Sequence, residues 1–300
     1  MTSATTSPES RPAGRPPTRP PARSWWLRQR FLLARRTVQL GLLGLFLLGP
    51  WAGIWWAKGN LAASTWFGLV PLSDPFIVIQ SLLALGHVTV TALIGALLIG
   101  AFYWLVGGRV FCSWVCPVNV ITDAAHWCRE RLHLPPGWRP QRNLRHYLLV
   151  MCLVSAAITG SIAWELVNPV TLVQRALVFG VGLGWTVMLA VFLFDLLVSR
   201  RGWCGHLCPV GAFYGLIGRT SPLRVAADRR EACTDCGECF AVCPEPHVIT
   251  PALRGPGSRL VLAGDCTNCG RCLDVCDDDV FRFADRYTYA ARERDRVPHD

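Results

Sequence analysis

Residues 233–246 read CTDCGECFAVCPEP, and residues 266–279 read CTNCGRCLDVCDDD. Each run is Cys-x2-Cys-x2-Cys-x3-Cys. At that spacing three thiols on one tight loop reach three corners of a 4Fe-4S cube, and the fourth, beyond a short turn, reaches the neighbouring cube. A lone Cys-x-x-Cys would fit zinc or a redox dithiol. Zinc instead prefers four-ligand sites built from Cys pairs, often with His, at longer separations, so eight thiols in two such runs point to iron and sulfide. The crossover predicts Cys233, Cys236, Cys239 and Cys276 around one cluster, and Cys266, Cys269, Cys272 and Cys243 around the other. Gly237 and Gly270 stand where the loop needs a residue without Cβ, so that amide N–H groups can approach the sulfides. Pro244 follows the first run, whereas Asp277 follows the second; the ligands are unaffected and the turn differs.

A shorter cysteine pattern occurs twice upstream. Residues 108–120, GRVFCSWVCPVNV, and residues 199–213, SRRGWCGHLCPVGAF, each carry Cys-x3-Cys-Pro with Arg just before it, and each follows a long apolar run. On a helix, the i,i+4 spacing puts both thiols on one face. The following Pro disfavours helix at the second Cys and predicts a turn there. The segments ahead of the pairs also match: PLSDPFIVIQSLLALG from Pro71 aligns with ELVNPVTLVQRALVFG from Glu165, placing Asp74 with Asn168, Pro75 with Pro169, Gln80 with Gln174 and Gly86 with Gly180. A helical hairpin repeated in one orientation implies a pseudo-twofold axis along the bilayer normal. Such an axis brings Cys112 and Cys116 towards Cys204 and Cys208. Four thiols there suit a third cluster or a dithiol relay, a site shaping substrate or partner contact, or a structural role, and the softness of thiolate towards iron favours the first.

The bulk numbers place this chemistry at a membrane. A mean hydropathy of +0.32 with 17% charged residues over 300 residues is too apolar for an ordinary soluble domain. Fourteen cysteines clustered at two- and three-residue intervals suit metal ligation rather than a disulfide framework. The net charge of +10 comes from Arg residues flanking apolar runs, not from one basic face with interleaved aromatics, which argues against nucleic acid. Four windows are long enough to span, at residues 37–57, 82–106, 147–167 and 176–198. Arg28, Arg30, Arg35 and Arg36 precede the first, Arg129, Arg131, Arg139, Arg142 and Arg145 lie between the second and third, and the outer loops offer only Lys58 and Arg175, so both termini are expected in the cytosol. Arg35 and Arg36 ahead of an apolar run faintly resemble a twin-arginine signal, but no small-residue cleavage site follows.

The expected fold class is thus a mainly α membrane protein, with four transmembrane helices as two repeated hairpins plus a small α+β two-cluster ferredoxin-like domain. Residues 1–34, rich in Pro, Ser and Arg at their start, are expected as a disordered tail. Residues 35–222 form the membrane domain, 223–286 the cluster domain and 287–300 a second tail.

Over residues 35–283 the chain resembles the NapH-type ferredoxin-like membrane proteins. The resemblance is carried by the four spans, by GRVFCSWVCP and RGWCGHLCPVGAFYGLIG, and by the paired cluster runs. It implies a quinol-oxidising electron-transfer component of a periplasmic nitrate reductase system in the bacterial inner membrane. It also implies quinol as substrate and a periplasmic iron-sulfur partner with its reductase. The related NosR, MauN and CcoG proteins share the cysteine logic with different partners, which keeps a redox maturation or regulatory role as the second reading. On the first reading, Asp195 near the inner end of the fourth span and His206 inside the second thiol pair are candidate quinol proton acceptors; pairing with Arg200 or Arg201 is the plain alternative for Asp195. His87 is the only His well inside a span, which argues against a haem held by two axial histidines. Gln80 and Gln174 suit a quinone carbonyl or, more simply, helix-to-helix hydrogen bonding. Cys128 and Cys152 lack ligand-spaced neighbours and read as small apolar residues.

Overall fold

The computed structural model describes residues 24–135, 137–138, 140–180 and 182–295; most of the expected N-terminal tail and the last five residues lie outside them. The first helix, α1 (Trp25–Ala52), is 28 residues long. Among the described residues it is the one helix long and apolar enough to cross a membrane. It starts well inside the expected tail, so residues 24–34 are ordered. Part of the stretch WWLRQRFLL is held by the cluster domain: Arg28 pairs with Glu238 at 2.7 Å, the Phe31 N–H donates to Asp274 at 3.0 Å, and the Phe31 ring packs edge-on against Phe283, while Trp25, Trp26 and Leu27 stay exposed.

After α1 comes a small antiparallel sheet in the order β1 (Ala57–Gly59), β2 (Ala63–Trp66), β3 (Val70–Ser73). The helices that follow are α2 (Pro75–Leu85), α3 (Val90–Val106), α4 (Val118–Arg131), α5 (Leu144–Thr159), α6 (Ala163–Val167), α7 (Pro169–Phe179), α8 (Leu183–Leu193) and α9 (Pro209–Gly218). The internal repeat has a structural counterpart in α2–α3 and α7–α8. Asp74 and Asn168 are N-caps whose side chains accept from Phe76 N–H at 2.9 Å and Val170 N–H at 3.1 Å, each followed by Pro at the first helical position. Gly86 and Gly180 close the two helices in the left-handed conformation at φ +71° and +72°, where a Cβ would be strained.

Those two glycines break the expected windows, so the four spans do not appear as four long helices. Windows 82–106 and 176–198 each run across one of them, and window 147–167 crosses Gly160, which ends α5 in the same conformation. The helices that result, 17 residues in α3 and 16 in α5, fall short of the roughly 20 needed to span a bilayer core upright. They keep large apolar side chains exposed: Leu97 and Phe102 on α3, Val150 and Ile158 on α5, Leu189 on α8. Facing inward, Phe76, Tyr103, Phe111, Leu149, Trp164 and Tyr214 form one core.

The rest of the chain is a compact α+β unit. Strand β4 (Leu223–Ala226) pairs antiparallel with β5 (Arg282–Asp285), and between them lie α10 (Glu238–Val242), α11 (Ile249–Arg254) and α12 (Arg271–Val275). The chain continues into α13 (Arg286–Asp295), so residues 287–295 are helical instead of a tail; Tyr289 anchors the helix by donating to Asp228 at 2.8 Å. A second core of Val225, Val248, Ile249, Leu253, Val261, Val280 and Phe281 packs around the cysteines.

Candidate iron-sulfur site

Each cysteine run begins as a loop and ends as one turn of helix. Gly237 and Gly270 adopt φ +77° and +74° at the starts of α10 and α12, which bends the chain so that the third cysteine of each run faces back towards the first two. The two runs interleave. Cys233, Cys236, Cys239 and Cys276 line one cavity with Phe240, Leu253 and Phe281. Cys243, Cys266, Cys269 and Cys272 line a second with Val225, Val248 and Ile249. Apolar walls around four thiols suit a cluster whose sulfides would be poorly served by bulk water.

The upstream pairs share one local geometry. Residues Phe111–Val115 and Trp203–Leu207 are single wide turns in which Cys116 N–H donates to Phe111 O at 2.9 Å and Cys208 N–H to Trp203 O at 3.0 Å. This i→i+5 pattern is rare and concentrates at functional sites. Cys116 and Cys208 are extended, at ψ 120° and 112°, as the following prolines dictate. The fold brings Cys112, Cys116, Cys204 and Cys208 close enough to act on one another electrostatically.

Between these pairs and the second run is a third cavity, lined by Cys112, Cys204, Cys269, Arg35, Arg109, Arg201 and Arg271 among others. Cys269 thus faces two cavities. The arginines are held from outside. Arg109 donates to Glu245 Oε1, to Asp265 O and to Cys204 O, each at 3.0 Å. Arg145, also buried, donates to Gly205 O at 3.2 Å and to the Asp265 carboxylate. Arg201 meets Asp123 at 3.2 Å, and Arg36 and Arg271 meet the same carboxylate. On the four arginines that line this cavity, one buried N–H each still lacks an acceptor: Arg35 Nη2, Arg109 Nε, Arg201 Nε and Arg271 Nε. A buried donor left this way is costly unless an acceptor occupies the space beside it, and the donor set fits an anionic cluster.

Burial alone would raise the Asp123 carboxyl, but Arg201, Arg271 and Arg36 outweigh it and hold the group at about 2. Because that lies below its unfolded value, the ion-pair network stabilises the fold above the ordinary carboxylate range and loses this contribution as pH falls through about 2. In an acid titration Asp123→Asn should therefore lie below the parent at neutral pH, with the difference shrinking towards pH 2.

Asp195, one of the two expected proton acceptors, is buried and accepts from Trp203 N–H at 2.9 Å, so its carboxylate braces the turn that carries Cys204. It makes no ion pair with Arg200 or Arg201: Arg201 goes to Asp123, and Arg200 goes to His126 Nε2 at 3.1 Å and Ala241 O at 2.8 Å. His206 sits in the second wide turn with a buried, unpartnered Nδ1. His87 is exposed in the turn between α2 and α3, against Leu85 O, and not inside a span. Gln174 bonds to the backbone of Gly59 and Leu61, while Gln80 bonds to Phe76 O within its own helix. Sequence reasoning did not reach Arg109, Arg145, Asp123, Glu245 and Asp265. One signal was present, since Arg109 and Arg201 each stand three residues before the first cysteine of a pair.

Comparison with known proteins agrees with this geometry. A family model described as a 4Fe-4S binding domain matches residues 88–135 and 181–226, covering both upstream pairs. A 4Fe-4S dicluster domain model matches residues 225–277. The chain is 57% identical over 264 residues to the methylamine utilization ferredoxin-type protein MauN of Paracoccus denitrificans, covering 88% of this chain and 93% of that one. With MauN of Methylorubrum extorquens the identity is 55%, over 81% and 83%. With the ferredoxin-type protein NapH of Escherichia coli it is 48%, over 90% and 94%. No solved structure matches. With cysteine-lined cavities in one half, a repeated thiol pair in the other and likeness along nearly the whole chain, the protein belongs to the MauN/NapH family of ferredoxin-type proteins and has an iron-sulfur electron-transfer role.

Proposed function

We propose that the protein is the membrane-bound electron-transfer subunit of a quinol dehydrogenase, taking electrons from membrane quinol and passing them to partner redox proteins. The observation that carries this is the continuous row of thiols: Cys112 and Cys204 share a cavity with Cys269, which also faces the cavity of the second run. Cys233, Cys236, Cys239 and Cys276 would hold one 4Fe-4S cluster, Cys243, Cys266, Cys269 and Cys272 a second, and Cys112, Cys116, Cys204 and Cys208 a third. Such clusters, when bound, accept and return single electrons at potentials tuned by hydrogen bonds and burial. The unpartnered guanidinium N–H groups support the third site, because sulfide and thiolate accept what those donors offer.

The exposed apolar faces of α3, α5 and α8 support embedding of these helices beside α1, since an apolar surface of that extent has no place in water. In that arrangement residues 35–222 form the membrane domain, both termini face the cytosol, and the cluster unit 223–286 caps the inner surface, clasped by the first turns of α1. Asp195 positions the Cys204 turn, and His206, with Nδ1 free, is the proton acceptor of the second pair. The NapH likeness supports a periplasmic nitrate reductase pathway as the destination, through a periplasmic iron-sulfur partner. The higher identity to MauN supports a second reading, in which the clusters serve the oxidation or maturation of a methylamine-utilising enzyme.

Iron and sulfide counting on the purified protein tests the cofactor set: about twelve irons are expected with three clusters, and about eight would leave the upstream pairs empty. Excess quinol should bleach the cluster absorbance in membranes. Cluster-dependent metal reduction that ignores quinol would favour maturation instead.

A further inference from the structure

A groove outside the cysteine cavities lies where α1, α4 and the cluster domain meet. Its volume is about 560 Å³, within the range of about 300–1,000 Å³ typical of small-molecule sites. Leu32 and Leu33 of α1, Val120 and Trp127 of α4, and Val242 and Val275 of the cluster domain supply apolar walls. Val242 and Val275 each stand one residue before a cluster cysteine, Cys243 and Cys276. The groove therefore touches the backbone that carries both cysteine runs. Its α1 wall belongs to the helix long and apolar enough to cross a membrane, so it opens beside the start of that span.

We propose that this groove holds the headgroup of the membrane quinol, with His126 as its hydrogen-bonding anchor. The inference rests on the quinol-oxidising reading and adds where the substrate sits. His126 lines the groove and is nine-tenths buried. At its Nε2, Arg200 is nearer, at 3.1 Å, than Glu130 Oε1, at 3.4 Å; with Arg200 donating, the ring proton sits on Nδ1, which is buried without an acceptor. A quinol oxygen supplies that acceptor. Burial, reinforced by Arg201 and Arg200, holds the imidazole at about 3, so the ring stays neutral and does not repel or attract charge. Trp127, exposed over most of its surface, carries Arg131 over its ring at 5.4 Å and adds apolar edge to the groove wall.

The cations around the groove favour this neutral ligand over a lipid phosphate. Arg28 is spent on Glu238 at 2.7 Å, and Arg36, Arg201 and Arg271 all converge on Asp123. An anionic headgroup would have to break these pairs, whereas an aromatic headgroup needs only the apolar walls and one donor.

The test uses the full chain with its clusters, reconstituted in lipid vesicles and illuminated with an azido-ubiquinone analogue. Label is expected on α4 and on residues 25–36, displaced by unlabelled ubiquinone. Val120→Trp, which fills the groove, should weaken quinone binding at least tenfold while the cluster absorbance and thermal unfolding match the parent; should that variant misfold, Trp127→Ala should weaken binding several-fold. His126→Leu should do the same by removing the donor. Undiminished labelling in a folded Val120→Trp protein, or label confined to another surface, would overturn the site while leaving quinol oxidation standing. Label displaced by phosphatidylglycerol and not by ubiquinone would also overturn it, assigning the groove to lipid. No labelling anywhere on the cluster-loaded parent would remove the quinol-oxidising reading along with the site.

Discussion

Cys243→Ser is expected to abolish the cluster held with Cys266, Cys269 and Cys272 and to spare the one around Cys233, Cys236 and Cys239, although Cys243 belongs to the run that contains the latter three. The reason is the interleaving of the two runs: Cys243 lines the cavity of the second run, and Cys276, reciprocally, that of the first. Iron should fall by about four per chain, one cube's worth, with one set of paramagnetic signals lost and the other kept. Cys276→Ser should give the mirror result. If each substitution removed instead the cluster of its own run, the crossover would be wrong. Serine is close to cysteine in size, so the loss reads on ligation more than on packing.

Arg109→Gln is expected to produce the largest loss of stability of any single charge removal. Arg109 is 2% exposed, and its guanidinium ties three separate segments together through Glu245, Asp265 O and Cys204 O. Without Arg109 the Glu245 carboxylate keeps only the longer contacts to Arg145 at 3.5 Å and His247 at 3.6 Å; breaking a buried ion pair costs up to about 3–5 kcal/mol, against a total stability of about 5–15 kcal/mol for a typical domain. The thermal transition should drop sharply, and the cluster unit should become protease-sensitive near Glu245. Arg109→Lys should rescue little, because one ammonium cannot reproduce a planar fork with several acceptors. A loss below about 1 kcal/mol in the Gln variant would mean that Arg145, already 3.5 Å from Glu245, or entering water compensates the carboxylate.

Some of this was open to reading from residue order alone, and the limits fall at identifiable places. The cysteine runs were legible because their chemistry is local: ligand spacing within four residues is set by covalent geometry, and Gly237 and Gly270 mark the left-handed turns. The repeat was legible because Pro75 and Pro169, with their Asp74 and Asn168 caps, are short-range signals. Gly86 and Gly180 were harder. A hydropathy window counts glycine as neutral and passes over it, so the windows at 82–106 and 176–198 merged a short helix with its neighbour. The beginning of α1 was misread for a different reason. What orders residues 25–33 is polar and distant: Arg28 and the Phe31 N–H meet Glu238 and Asp274, more than two hundred residues away.

The sequence by itself determined how the thiols group along the chain and that the hairpin with its cysteine pair occurs twice, since these follow from bonds and contacts spanning a few residues. Only the tertiary structure decided which charges meet. Arg109 joining Glu245, three arginines closing on Asp123, and His126 facing a groove beside both cysteine runs arise from burial, where a charge is forced to take whichever partner the packed helices place within reach.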